Sequence, residues 1–189
     1  MTATSEPWAV VLQIAHTSDI SRPLLTAARD LLDFVFEGEM TDDDWEHSLG
    51  GMHVIARCEE LVIGHAALIQ RRLMHRGAAL RAGYVEGVGV HPDWQRRGIG
   101  GQMMDQLEQM IGAAYDLGAL GASDDGVPFY EHRGWVKWLG PTSALTPEGI
   151  VPTPDEDGWI YVLPVSRRGS HNLDIHGELT CDWRGGDVW

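Results

Sequence analysis

Basic residues are scarce in this chain. Its 14 lysines and arginines stand against 28 aspartates and glutamates, a formal net charge of -14, which repels nucleic acid and anionic membranes and suits a cationic partner. An acidic balance is also an ordinary route to solubility, so charge alone does not choose. Cysteine is nearly absent as well. Cys58 and Cys181 are too few for a disulfide framework, and their spacing to the histidines matches no metal signature, so both read as plain thiols and no metal is expected. No apolar run approaches the roughly 18 residues of a membrane span, and the apolar piece from Trp8 to Ile14 lacks a basic flank and a signal-type cleavage site. Internal repeats are missing. These absences lead to the expectation of a soluble, cytoplasmic, single domain over residues 1–189, whose 43% hydrophobic content suffices for one core.

What is present is a change of period along the chain. After the strand-like start, Ser21 and Pro23 open a helix in which Leu24, Leu25, Ala28, Leu31, Leu32 and Val35 recur at helical spacing. Thr41-Asp42-Asp43-Asp44 has the form of a capping box and starts a short helix to Ser48. Three strand-like runs follow, Met52 to Arg57, Leu61 to Arg72 and Ala79 to Val90, which form an antiparallel meander. Helical spacing returns from Gly98 through Ile111. A short strand at Leu117 to Leu120, a helix at Val127 to Arg133 and a strand at Trp135 to Trp138 complete a βαβα order. Pro141 to Gly158, with four prolines, reads as a long surface loop. Trp159 to Val165 reads as the final strand, and Ser166 to Asp187 as an irregular tail.

The segment from Val88 to Gly101 is the most informative. Val88, Gly89 and Val90 end a strand; Gln95, Arg96, Arg97, Gly98, Ile99, Gly100 and Gly101 then run straight into a helix. Glycines let backbone approach a ligand closely, and the unpaired N–H groups of a helix N-terminus favour a phosphate. The two arginines add cations in a protein whose overall charge repels one. Neither a G-x-x-x-x-G-K-[ST] loop nor a strand-linked G-x-G-x-x-G is present. The pattern Q-x-x-G-x-G, preceded by V-x-V-x-P-x-W, resembles motif A of the GNAT superfamily of N-acetyltransferases, whose backbone N–H groups hold the pyrophosphate of acetyl-CoA. Some thirty residues on, Phe129-Tyr130-Glu131-His132-Arg133-Gly134-Trp135 is similar to that superfamily's F-Y-x-x-x-G-[FW] segment. A phenol with a pKa near 10 stays protonated at neutral pH and can donate to a departing thiolate; the resemblance gives Tyr130 that role. It also implies the fold: α/β, a mixed, mostly antiparallel bent sheet flanked by helices, with acetyl-CoA wedged between splayed fourth and fifth strands.

An ammonium cannot attack a thioester, so the acceptor must lose a proton, directly or through a water, to a carboxylate near the third run of the meander. Glu86 is the candidate, in the otherwise apolar Tyr84-Val85-Glu86-Gly87-Val88. Gly87 and Gly89 permit a bulge there, which would aim the Val88 N–H at the thioester oxygen. The resemblance then narrows. Asp44-Trp45-Glu46-His47, Leu49-Gly50-Gly51-Met52-His53, Gln70-Arg71-Arg72, Gly83 to Val88, Gly140-Pro141-Thr142-Ser143, Cys181-Asp182-Trp183-Arg184 and Gly186-Asp187-Val188-Trp189 are similar to the aminoglycoside 2′-N-acetyltransferases over nearly the whole chain.

That resemblance implies a cationic aminoglycoside as acceptor and a gripping set of Glu39, Asp44, Glu86, Gly87, Glu156, Asp187 and the terminal carboxylate of Trp189. Charge-assisted hydrogen bonds suit a substrate rich in ammonium groups and poor in apolar surface. Glu39 and Glu156 stand where the family carries Asp. For Asp44, acceptor binding and helix capping both stay open. His47, His53, His65 and His91 match no role in the family and read as packing or surface residues. Other acceptors, such as a polyamine, a peptide N-terminus or an envelope amino sugar, stay open too, as do a non-catalytic acetyl-CoA- or drug-binding module and a homodimer.

Overall fold

The computed structural model describes residues 9–165 and 173–189. Trp8 and residues 166–172, assigned above to the first strand and to the tail, lie outside them. The described residues divide into two compact units, 9–68 with 86–107, and 69–85 with 108–165 and 173–189, so two strands and one helix pass from one unit into the other.

In the first unit, strand β1 (Val10–His16) pairs antiparallel with β2 (Met52–Cys58). β2 pairs in turn with β3 (Leu61–His75), in a register that sets His53 opposite Ala67 and Ile55 opposite His65. Helix α1 (Arg22–Val35) has Ser21 at its N-cap, as expected, but the serine side chain makes no cap bond; its carbonyl accepts from Leu24 and Leu25 instead. Pro23 sits in the first turn, where its missing N–H costs nothing. The apolar stripe of α1 packs Ala28 and Leu31 against Ile20, Ile55 and Val62, and each fully buried leucine contributes about 1.5–3 kcal/mol relative to exposure. Helix α2 (Asp42–His47) carries the full capping box between Thr41 and Asp44. The end of β4 (Ala78–Val90) and the start of α3 (Ile99–Ala114) complete this unit, with Met103, Met104 and Leu107 buried.

In the second unit the remaining strands are β5 (Leu117–Gly121), β6 (Val136–Lys137), β7 (Thr142–Thr146), β8 (Gly149–Pro152), β9 (Ile160–Pro164) and β10 (Leu179–Asp182), with helix α4 at Val127–His132. Their order is β6-β9-β5-β4-β3-β10-β7-β8, a mixed and mostly antiparallel sheet. β4 with β5 and β10 with β7 run parallel. The β4–β5 ladder joins only Ala82 to Leu117, Gly83 to Gly118 and Tyr84 to Ala119, although β4 runs on to Val90.

Two expectations fail in this unit. Pro141 to Gly158 is not a loop: it holds the β7–β8 hairpin, with Pro152 at the end of the edge strand, where a missing N–H is tolerated. Nor is β9 the last strand, because β10 inserts between β3 and β7. β10 is illegible as a core strand because its polar positions find their partners on a distant strand: the hydroxyls of Thr180 and of Ser143 on β7 lie 2.8 Å apart, and Ser143 also donates to Glu178, just before β10, at 2.9 Å. Leu179 and Cys181 meanwhile join a core with Leu73, Trp138, Ile160 and Trp189.

Candidate active site

Three stretches carry the chemistry-bearing residues. The first is the end of β4. Glu86 and Val88 are half-buried, and Gly87 between them adopts φ +55°. A Cβ at Gly87 would lie 2.8 Å from Ser48 Oγ and 3.1 Å from Leu32 Cδ1, so this bend needs glycine for both conformation and space. The Gly87 carbonyl is turned onto His65, whose Nδ1 lies 2.7 Å away. His65 and His53 are fully buried, with His65 Nε2 and His53 Nδ1 2.9 Å apart, and His53 Nε2 is 2.7 Å from the Thr17 hydroxyl. Burial pushes both imidazoles down to about 4, with repulsion from His65 a second cause at His53, so both are neutral at pH 7.

The second stretch is the turn into α3. Arg96 has φ +60° and Gly98 φ +79°, flanking Arg97 at negative φ. Such alternation turns successive amide N–H groups to one side and makes a concavity for anions. Gln95, Arg96, Arg97 and Gly98 are exposed, whereas Ile99 is buried as the anchor of the helix and Gly100 and Gly101 are half-buried. The Gln95 amide donates to the Val90 carbonyl at 3.1 Å and closes the loop, while the Arg97 guanidinium stacks 4.9 Å over the Trp94 ring. Backbone donors and two cations therefore fit a pyrophosphate. Gly89, beside Val90, is buried, and a Cβ there would come within 2.8 Å of Leu32.

The third stretch lies in the second unit. Tyr130 on α4 is 8% exposed, and burial raises its phenol to about 12. Its segment is clamped by Glu108, whose carboxylate receives Arg133 at 2.8 and 2.7 Å and the Trp135 indole N–H at 2.9 Å.

The acidic positions divide between the units. Glu39 is exposed just beyond α1. One oxygen of Asp44 already accepts the Thr41 N–H and hydroxyl, both at 2.8 Å, so capping engages half of that carboxylate. In the second unit the Glu156 carboxyl is raised by burial and then by the charges of Asp187 and Asp155, which brings Glu156 and Asp187 into one acidic neighbourhood. The tail bearing Asp187 is docked. Trp189 is 4% exposed, its indole donates to Thr153 at 2.9 Å, its N–H donates to Asp187 at 2.9 Å, and Arg184 holds a main-chain oxygen of it. Cys181 donates to the Val188 carbonyl, and burial pushes its thiol up to about 11, which suits packing rather than nucleophilic attack.

Sequence reasoning passed over the Thr17, His53 and His65 chain, the Glu108 clamp and the Thr153 dock. One signal pointed to the first. A histidine inside the apolar Val62-Ile63-Gly64-His65-Ala66-Ala67 run must find a buried partner. No spacing rule says which. Among the described residues no cluster of three or more metal-type ligands occurs.

Comparison with known proteins agrees with this reading of the fold. The family described as "Acetyltransferase (GNAT) domain" matches residues 20–137. The aminoglycoside 2′-N-acetyltransferase of Mycolicibacterium fortuitum is 48% identical over 177 residues, 94% of this chain and 91% of that protein. Among solved structures, a GNAT family N-acetyltransferase of Escherichia coli in complex with CoA superposes with a TM-score of 0.64 at 14% identity, over 95% of this chain and 93% of that one. An acyl-CoA N-acyltransferase of Pseudomonas aeruginosa gives 0.59 at 16% identity, over 82% and 99%.

Proposed function

This chain belongs to the GNAT acetyltransferase family, and from that premise we propose that it acetylates the 2′-amine of an aminoglycoside with acetyl-CoA, in the cytoplasm, with residues 1–189 acting as one catalytic domain. The observation that carries the proposal is 48% identity to an aminoglycoside 2′-N-acetyltransferase across 94% of the chain. Acetyl-CoA supplies an acetyl group activated as a thioester. The turned amides from Gln95 to Gly101, with Arg96 and Arg97, bind its pyrophosphate, as the alternating φ values of that loop suit. Val88, at the bend after Gly87, donates its N–H to the thioester oxygen as negative charge grows there, and Gly89 and Val90 continue that backbone surface. Glu86, through a water, takes the proton that makes the acceptor a nucleophilic amine. Tyr130, whose phenol near 12 stays protonated at any physiological pH, gives a proton to the departing sulfur, and the second proton, shed by the nitrogen as it becomes an amide, restores the phenol through solvent. Attack is direct, with no acetyl-enzyme.

The remaining ammonium groups of the acceptor meet Glu39, Asp44, Glu86, Gly87, Glu156, Asp187 and the main-chain oxygens of Trp189. The carboxylates of this set suit a polycation that offers little apolar surface, and the backbone of Gly87 adds uncharged hydrogen-bonding groups.

The test is steady-state turnover of acetyl-CoA with an aminoglycoside bearing a 2′-amine, beside one bearing a 2′-hydroxyl, a polyamine and a peptide N-terminus, with the acetylation site read by NMR. Acetylation at the 2′-nitrogen alone is expected. Equal turnover of the 2′-hydroxyl compound, or preference for the polyamine or peptide, would overturn the regiochemistry or the acceptor class.

A further inference from the structure

We infer that His65, set by His53 and Thr17, is a positioning residue that aims and polarises the Val88 N–H; the inference rests on the role proposed above for that N–H. The geometry begins at the Gly87 carbonyl, which only accepts, so the His65 Nδ1 at 2.7 Å carries a proton. In a neutral ring the Nε2 of His65 is then a bare acceptor, and the His53 Nδ1 at 2.9 Å must donate to it. His53 Nε2 is bare in turn and accepts from the Thr17 hydroxyl at 2.7 Å. Thr17 also receives the Gly50 N–H at 2.9 Å, which leaves its own proton for His53 rather than for the more distant Gly51 carbonyl at 3.2 Å. The opposite orientation would set two ring lone pairs against each other across 2.9 Å in the interior. Every member of the chain thus has one role, and all protons point from Thr17 toward Gly87.

The consequence passes through one peptide bond. The Gly87 carbonyl and the Val88 N–H belong to the same planar trans unit and point in opposite directions. A donor that holds the carbonyl on one side holds the N–H to the other. Gly87 has φ +55° and could rock about its soft dihedrals, since only its missing Cβ spares it contact with Ser48 and Leu32. The His65 bond removes that freedom. Hydrogen bonds in series also polarise one another, which strengthens the peptide dipole and with it the donor power of the Val88 N–H. The histidines exchange no proton with the substrates; they set the direction and strength of a backbone donor.

Three measurements test this. Nitrogen NMR of labelled histidines in the intact protein at neutral pH should find both His53 and His65 protonated on Nδ1 and bare on Nε2; a proton on Nε2 of His65 overturns the inference whatever the enzyme acetylates. His65→Leu should shift the Val88 amide resonance, and His65→Asn, whose amide can still donate to Gly87, should shift it less; an unmoved Val88 resonance in the leucine variant overturns it too. In turnover, His65→Leu should lose about tenfold or more in kcat with acetyl-CoA KM changed less than about twofold, and His65→Asn should recover most of that loss. Equal kcat in the two variants, or a loss carried by KM, would reduce His65 to a packing residue. An inactive wild type would sink the proposed function instead, while the two NMR measurements still decide the positioning role.

Discussion

Tyr130 is a buried phenol whose environment resists ionisation, so its chemical use is as a donor. Tyr130→Phe removes the proton and almost no volume. We expect kcat to fall by about 10²-fold with both KM values nearly unchanged, measured where chemistry limits the rate; wild-type turnover would assign the acid to another group. The two buried histidines make a prediction of a different kind. Unfolded imidazoles bind protons near 6.5, whereas these bind them only near 4 in the folded protein. Between those values the unfolded chain holds more protons, so their contribution to stability is intact above about 6.5 and is lost as pH falls toward 4. Each ring adds a slope of up to about 1.4 kcal/mol per pH unit in that window. Urea unfolding of wild type and His53→Gln at a series of pH values checks this, and the variant should show the shallower acid slope.

At the scale of elements, the turn into α3 and the docked tail separate the two substrates. Arg96→Glu places a negative charge in an anion-binding turn. Gly98→Asp does the same and adds about 1–2 kcal/mol of left-handed strain at φ +79°. Both should weaken acetyl-CoA binding by about tenfold or more in calorimetric titration and leave acceptor binding unchanged. The tail is less separable than its polar composition suggests. Deleting Asp187 to Trp189 removes a core tryptophan, a loss of about 3–5 kcal/mol, and takes away the Val188 carbonyl that accepts from buried Arg71 at 2.7 Å. That truncation should lower the melting temperature by about 10 °C or more. Asp187→Asn is the cleaner variant: its amide oxygen can still accept the Trp189 N–H while the charge is gone. Its acceptor KM should rise, with acetyl-CoA affinity and melting temperature nearly unchanged.

Over the whole molecule, a net charge of -14 draws a polycation and repels a phosphate-bearing cofactor. Salt should therefore act on the two substrates with opposite sign in their long-range part. Raising ionic strength to about 1 M shortens the screening length to about 3 Å, so the acceptor KM should rise steeply. The acetyl-CoA KM should move little, because local contacts at the Arg96 turn and the overall repulsion are screened together. Matching responses for both substrates would remove charge from the account of acceptor choice.

Local physics determined most of the element order from sequence alone. The α1 stripe, the capping box at Thr41, the three meander strands and the turn from Gln95 into α3 each rest on contacts or propensities within a few residues. The motif residues Gly98 and Tyr130 were legible for the same reason, since their neighbours in sequence carry the pattern. Tertiary structure decided whatever depends on a distant partner. β10 is a strand because Thr180 and Leu179 meet β3 and β7, and Trp189 is core because Thr153 accepts its indole N–H and it joins the buried cluster that holds Leu73, Trp138 and Ile160. His65 has its tautomer from residues 12 positions before it and 22 after it. A hydrogen-bond chain closed across three strands and a turn leaves no period in the sequence, because its members share a face in space and none along the chain.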